Sequence, residues 1–133
     1  IKAIKTEKIS CPKSIAEILE IDNQKVNFRD VLLVSDKPLV RAISYTVISR
    51  LKADMRDILY ANIPIGKIFS EKGLELRREI LGYSLSDTPD PYLGDRFVMR
   101  RYNLVTGGLP LMHIQEKISC KIGEQYAEQH QSY

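Results

Sequence analysis

Two neighbouring strand-like segments, joined by a short turn, constrain the fold of this chain more than any other feature. Residues 26–35 and 39–49 are rich in Val, Ile, Phe, Tyr and Thr, which favour strands. The tripeptide Asp36-Lys37-Pro38 lies between them, and its residue types favour a tight turn. The pattern therefore predicts a β-hairpin, in which the strands run antiparallel.

Further elements are predicted on either side of this hairpin. Residues 1–10 favour a strand, and residues 14–19 favour a short helical turn with Ser14 as its cap. Apolar residues recur at helical spacing over residues 51–59. A second short helix is predicted over residues 64–73, because it starts with a proline and ends with a glycine.

Strand character returns in the second half of the chain. Residues 74–85 favour a strand, and a final hairpin is predicted to join residues 96–106 to residues 111–119. Residues 121–133 form a polar tail. The order of hairpin, helix pair, strand and hairpin predicts an α+β fold, an antiparallel β-sheet with helices covering one face.

Length and composition favour one compact domain over residues 1–133. The chain has 133 residues, 44% of them hydrophobic, which is enough for one core. Its net charge of +3 arises from 20 basic and 17 acidic residues, too small an excess to indicate nucleic acid. No run approaches ~20 apolar residues, and the first residues lack the core of a signal peptide. We therefore expect a soluble, cytoplasmic protein without a membrane or nucleic-acid partner.

The cysteines and glycines indicate neither a metal site nor a nucleotide cofactor. Cys11 and Cys120 are far apart, without a CxxC or a nearby histidine pair, so two free thiols are expected. The pair Gly107-Gly108 lies between two strand-like runs and is typical of a turn rather than of a phosphate-binding loop. We expect no cofactor and no metal.

Glu116 is the most unusual residue in the pattern. Strand alternation places it on the same face as Met112, Ile114 and Ile118, in the middle of an apolar row. A buried carboxylate is unfavourable unless another group compensates its charge. A ligand pocket would explain it, and so would a structural ion pair, a bulge or an outward-facing register.

Arg29 is the cation predicted to accompany Glu116. It shares a face with Val31 and Leu33, and its planar guanidinium binds carboxylates through two hydrogen bonds. The two residues could form a structural pair or bind a small acid together. Arg41, on one face with Tyr45, is a further candidate for a second carboxylate, or else an edge arginine with a solvated head.

Several segments occur in a characteristic order along the chain. They comprise an Arg-acidic-aliphatic strand, a proline-ended turn, a Thr-Val return strand, a Pro-x-Gly-basic helix start, and a closing hairpin that ends in glutamate. In this chain they are residues 28–33, Pro38, residues 45–48, residues 63–69, residues 100–102, Gly108, residues 110–111 and Glu116. By their order and spacing, rather than by any one motif, they resemble one enzyme family, the chorismate pyruvate-lyases (4-hydroxybenzoate synthases), and its mycobacterial and archaeal branch in particular.

The resemblance implies cleavage of chorismate to 4-hydroxybenzoate and pyruvate in a closed cavity, without metal or cofactor. It implies that Arg29 holds the carboxylate of the aromatic acid, and that Glu116 contacts the hydroxyl-bearing end. Ile65 and Gly66 match the helix start that closes over the ring, and Arg101 matches a basic residue of the closing hairpin. The predicted substrate-binding residues are therefore Ile65, Gly66, Arg41, Tyr45, Arg101, Met112 and Ile114.

Glu116 could take part in the reaction through a proton of its own. A protonated Glu116 could donate a hydrogen bond or act as a general acid. The helical segment that precedes the first strand in the family is not evident here, so a more open pocket is one expectation.

The alternatives to a lyase are a non-catalytic domain that binds an aromatic acid, related to the effector-binding domains of transcription regulators, and a structural α+β domain.

Overall fold

A computed structural model describes residues 2–22, 24–52, 55, 76–86, 88–94 and 96–120 of the chain. The described part contains strands, one α-helix and one 3₁₀ turn. In chain order these are β1 (Lys2–Ser10), α1 (Lys13–Leu19), β2 (Lys25–Val34), β3 (Pro38–Thr46), the 3₁₀ turn (Ile48–Arg50), β4 (Arg77–Ser86), β5 (Phe97–Thr106) and β6 (Leu109–Ser119).

The strands form a six-stranded antiparallel sheet in the order β1-β2-β3-β6-β5-β4. Both predicted hairpins, β2–β3 and β5–β6, are present, and they join in the middle of the sheet through β3 and β6. The antiparallel sheet is thus confirmed. The predicted pair of helices lies almost wholly outside the described residues, so the prediction that helices cover one face is confirmed only in part.

The register of the strands defines two faces. Arg29, Ser44, Ile114 and Tyr102 are aligned across β2, β3, β6 and β5, so their side chains point to one side of the sheet. Glu116 lies two residues from Ile114 on that same side, which we call the Glu116 face. The opposite side, the Tyr45 face, carries the next aligned row, Phe28, Tyr45, His113 and Asn103.

An apolar cluster covers one end of the Glu116 face. Its buried members are Leu51, Met55, Tyr102, Leu104, Leu111, Met112 and Ile114. Leu51 and Met55 belong to the first predicted helix, and their burial agrees with the apolar stripe that the sequence shows there. The rest of that helix, and the second helix with Ile65 and Gly66, lie outside the described residues.

Helix α1 packs against the Tyr45 face. Ile15 and Leu19 form a buried cluster with Val47, and Tyr45 packs against it. The predicted cap was wrong, because Pro12 precedes the helix and Ser14 lies inside it. No described helix is both long and apolar enough to cross a lipid bilayer. Cys11 and Cys120 are both free thiols, as expected.

The turn between β5 and β6 depends on two consecutive glycines. Gly107 has φ of 57° and Gly108 has φ of 78°. Positive φ at both central positions is what a two-residue turn of a twisted hairpin requires, and glycine adopts it without a steric penalty. The turn keeps Thr106 opposite Leu109, and an irregularity between Leu104 and Val105 then shifts the pairing by one residue, so that Arg100 lies opposite Glu116.

We expect Gly108→Ala to lower the free energy of unfolding by about 1 kcal/mol, because a Cβ is disfavoured at positive φ. Gly82→Ala is the matched control. Gly82 lacks positive φ, and a Cβ there would meet only Arg101 Nη2, at 3.8 Å. Urea unfolding of both variants measures the difference, and equal stabilities would contradict the role assigned to the turn.

Candidate functional site

Glu116 is hydrogen-bonded to two side chains of the neighbouring strand β5. Arg100 Nη2 donates to Glu116 Oε2 at 2.6 Å, and the Tyr102 hydroxyl donates to Glu116 Oε1. The side chains of Arg100 and Glu116 are 25% and 17% exposed, so this ion pair is largely shielded from water. Arg100 is the direct cross-strand neighbour of Glu116, and Tyr102 is its diagonal neighbour.

Arg29 does not form a structural ion pair with Glu116, which was one of the alternatives that the sequence left open. Strand β3 lies between β2 and β6, and Arg29 is offset from Glu116 by two residues in register. With ~4.8 Å between strands and ~3.4 Å per residue, their Cα atoms are about 12 Å apart. The sequence identified the shared face correctly but could not identify which strands are adjacent. The two residues lie on one face, too far apart to neutralise each other.

The protonation of Arg100 and Tyr102 follows from their surroundings. Burial lowers the pKa of Arg100, but its hydrogen bond and charge pairing with Glu116 outweigh this effect and leave the pKa raised. Burial, and then the bond to Glu116, raises the pKa of the Tyr102 hydroxyl. At neutral pH both groups therefore keep their protons and act as donors. Glu116 is the partner of both donors, one at each of its oxygens.

Two guanidinium groups also lie over the Tyr102 ring. The Cζ atoms of Arg78 and Arg100 lie 4.7 Å and 5.0 Å from the centre of its ring. Within the described part of the chain, Arg100 Nε is buried and has no hydrogen-bond partner. A cluster with a net positive charge and an unused donor is chemically suited to an anionic ligand.

Arg29 is buried at the other side of this face, with 2% of its surface exposed. Burial lowers the pKa of its guanidinium, although arginine stays charged at neutral pH. Ser44 and Ile114 lie between it and Tyr102 in the aligned row. Met112 and Ile114, both predicted to line the pocket, lie on this face and are buried.

Three predicted substrate-binding residues lie on the opposite, Tyr45 face. Arg101 is exposed there, because strand alternation turns it away from Arg100 and Glu116. Arg41 is bound by Asp30 at 2.7 Å and Asp90 at 2.9 Å, which raises its pKa and occupies its guanidinium. Tyr45 packs against α1. The structure therefore does not bring Arg41, Tyr45 and Arg101 together with Arg29 and Glu116.

Sequence reasoning assigned no role to Arg100, Tyr102 or Arg78. The signal was available in part, because Arg100 and Tyr102 alternate with Arg101 along a predicted strand. The resemblance included both residues but matched Arg101, the next residue along the strand, to the basic residue of the family. Since successive side chains of a strand lie on opposite faces, Arg101 lies on the Tyr45 face and Arg100 on the Glu116 face.

A surface cavity lies at the β5–β6 turn, apart from Glu116. Its volume is about 410 Å³, and it is lined by Leu76, Arg77, Val105, Gly107 and Gly108. The described residues contain no group of three or more His, Cys, Asp or Glu side chains that could hold a metal ion.

His113 is fully buried on the Tyr45 face and faces Asn103. The distance from His113 Nδ1 to Asn103 Oδ1 is 2.9 Å. Burial, and then the positive charge of Arg101, lowers the pKa of His113 to about 4. The imidazole is therefore neutral in the folded protein at pH 7, and its protonation must oppose folding.

We expect this histidine to make the protein less stable in mild acid. The pKa of an unfolded histidine is ~6.5, so between that pH and pH 4 the unfolded chain binds more protons than the folded one. Between pH 7 and pH 4.5 the parent should lose about 2 kcal/mol more of its unfolding free energy than His113→Gln does. Urea unfolding at both pH values measures this difference, and equal losses would show that His113 does not titrate as described.

Comparisons with known proteins agree with this architecture. The solved structures that are similar include the C-terminal domain of YurK from Bacillus subtilis, with a TM-score of 0.73, 14% identity, and coverage of 90% of this chain and 89% of that one. A GntR-family transcriptional regulator from Bacillus cereus has a TM-score of 0.70, 15% identity and 90% coverage of both chains.

A third similar structure is the ligand-binding domain of a protein provisionally assigned to the GntR regulator family, from Bordetella bronchiseptica. Its TM-score is 0.69 at 16% identity, with 88% of this chain and 80% of that chain covered. At such low identity these three likenesses establish the fold alone.

Two comparisons of sequence indicate the family. The protein MJ0807 of Methanocaldococcus jannaschii, named provisionally as a lyase, is 36% identical over an alignment of 116 residues, and the match covers 74% of this chain and 62% of MJ0807. The chain thus spans less than two thirds of this relative. A family model described as "Chorismate pyruvate-lyase Rv2949c-like" matches residues 1–126. With nearly the whole chain matched, the protein belongs to the Rv2949c-like chorismate pyruvate-lyase family.

Proposed function

We propose that the protein cleaves chorismate into 4-hydroxybenzoate and pyruvate on the Glu116 face of its sheet. One observation carries the proposal. A buried arginine, Arg29, and a shielded cluster of Glu116, Arg100 and Tyr102 lie on one face, separated by apolar and small side chains. Membership of the family and similarity to MJ0807 support a lyase-type role.

The chemistry of chorismate matches the two ends of this face. Chorismate carries a carboxylate on its ring, a ring hydroxyl, and an enolpyruvyl ether that bears a second carboxylate. Arg29 binds the ring carboxylate through charge-assisted hydrogen bonds. The ring hydroxyl donates to Glu116, and the enolpyruvyl carboxylate is bound by Arg100, whose Nε lacks another partner within the described residues.

The reaction breaks the bond between the ring carbon and the ether oxygen. The hydrogen on the ring carbon that bears the hydroxyl is lost, and the methylene carbon of the enolpyruvyl group gains one, so that pyruvate leaves. The ring becomes aromatic, which makes the product far more stable. The residues then mainly hold the reactive conformer and exclude water, and no cofactor is needed to carry electrons.

Glu116 has a positioning role in this proposal. Because both of its oxygens accept hydrogen bonds from β5, its carboxylate is fixed in orientation before substrate arrives. A fixed acceptor can hold the substrate hydroxyl, and with it the adjacent C–H bond, in one geometry. Such pre-organisation is a principal means by which binding energy lowers a barrier.

We expect Arg100→Met to reduce kcat/KM for chorismate by ten- to a hundredfold, since a charge-assisted hydrogen bond contributes ~1.5–3 kcal/mol. Arg101→Met is the matched control, because it removes the adjacent arginine from the opposite face and should retain kcat/KM within about twofold. The assay follows 4-hydroxybenzoate by chromatography. A larger loss in Arg101→Met than in Arg100→Met would contradict the site.

A second candidate function is suggested by the structural neighbours, one of which is a ligand-binding domain. On this alternative the Glu116 face binds an aromatic acid without converting it. Incubation with chorismate separates the two functions. Formation of 4-hydroxybenzoate in proportion to protein supports the lyase, whereas binding of 4-hydroxybenzoate without turnover supports a sensor.

A further inference from the structure

Two fully buried polar side chains lie beside Arg29 on the Glu116 face. Asn27 on β2 and Thr46 on β3 are aligned in register, and each is 0% exposed. Within the described part of the chain, both amide atoms of Asn27 and the hydroxyl of Thr46 lack a hydrogen-bond partner. Asn27 is two residues from Arg29, and Thr46 is two residues from Ser44, the cross-strand neighbour of Arg29.

Unpaired polar atoms inside a protein are unusual, because each loses its bonds to water and gains none in return. A leucine and a valine at these positions would fill similar space without that penalty. Two such side chains placed next to each other, and next to a buried arginine, therefore indicate a polar partner that is not part of the sheet.

The chemistry of this patch favours an acceptor that carries negative charge. A guanidinium has five N–H donors, so Arg29 can bind more than one acceptor, and Asn27 adds an NH₂ group and Thr46 and Ser44 one hydroxyl each. Neither acidic neighbour along these strands pairs with Asn27 or Thr46. Asp30 points to the Tyr45 face and is bound to Arg41, whereas Glu116 is bound to β5.

We propose that Asn27 and Thr46 complete the binding site for the ring carboxylate of the aromatic acid. The inference rests on the proposed function, since it assumes that the Glu116 face receives such an acid. The Asn27 amide and the Thr46 hydroxyl donate to the carboxylate oxygens that Arg29 also binds. A carboxylate has about four lone-pair positions, enough for all these donors.

This arrangement makes Asn27 and Thr46 specificity-determining residues. Arg29 alone would attract any anion, but three donors converging from two strands select a planar group at a defined position. The ring hydroxyl then points along the face towards Glu116. A ligand with only one of these two groups would be held at only one end.

Three probes in calorimetric titrations test the assignment: 4-hydroxybenzoate, benzoate, which retains only the carboxylate, and phenol, which retains only the hydroxyl. Thr46→Val and Asn27→Leu should each weaken 4-hydroxybenzoate and benzoate at least tenfold and leave phenol within about twofold. Thr106→Val, at the β5–β6 turn, is the control and should change none of the three affinities.

Thermal unfolding without ligand gives a second readout. Because the substitutions remove unpaired buried atoms, we expect Tm of the ligand-free Thr46→Val and Asn27→Leu proteins to equal or exceed that of the parent. A lower Tm with unchanged benzoate affinity would overturn the inference, because it would show that the two side chains bind an internal water only. Equal weakening of phenol and benzoate would overturn it too.

The outcomes also separate this inference from the proposed function. Carboxylate binding that depends on Thr46, in a protein that forms no 4-hydroxybenzoate from chorismate, supports the inference and contradicts the lyase. Turnover of chorismate with unchanged KM in both variants supports the lyase and overturns the inference. A parent protein that binds neither benzoate nor 4-hydroxybenzoate also overturns the inference.

Discussion

The pairing of β3 with β6 is the contact on which the rest of this structure depends. It joins the two hairpins, and it places Ala42 opposite Glu116 and Ser44 opposite Ile114. Because side chains alternate along a strand, a slip of one residue would move Glu116 to the face opposite Arg29. This pairing brings together residues that are distant in the chain, and so it builds the candidate site from two local hairpins.

The charged and polar side chains are paired to different extents on the two faces of the sheet. On the Tyr45 face, Asp90 is bound by Arg41 at 2.9 Å and by Lys117 at 3.2 Å, and Arg41 is bound by Asp30 as well, so the charges form a closed network. On the Glu116 face, as far as the structure describes the chain, Arg100, Asn27 and Thr46 each have buried polar atoms without a hydrogen-bond partner. A network of fully paired charges suits a structural role, whereas buried donors without a hydrogen-bond partner suit the binding of a ligand.

The sequence predicted both hairpins, strands β1 and β4, and the faces of Arg29 and Glu116, because these follow from local alternation and turn residues. It did not predict the partner of Glu116, since strand adjacency is decided by contacts between remote segments. Arg101 was preferred to Arg100 because motif matching tolerates a one-residue shift that alternation does not. The burial of Asn27 and Thr46 could not be predicted either, because it depends on which segments pack against these strand residues.

The bond between Tyr102 and Glu116 has a consequence for how a product would leave. The tyrosine side chain carries a phenol hydroxyl para to its point of attachment. In the same way, 4-hydroxybenzoate carries a phenol hydroxyl para to its carboxylate. The Tyr102 phenol already occupies one oxygen of Glu116. The chain thus contains its own analogue of the hydroxyl of the proposed product. Because Glu116 keeps its bond to Tyr102, the product hydroxyl would share an acceptor that is already in use, and this weaker bond would help the product to leave.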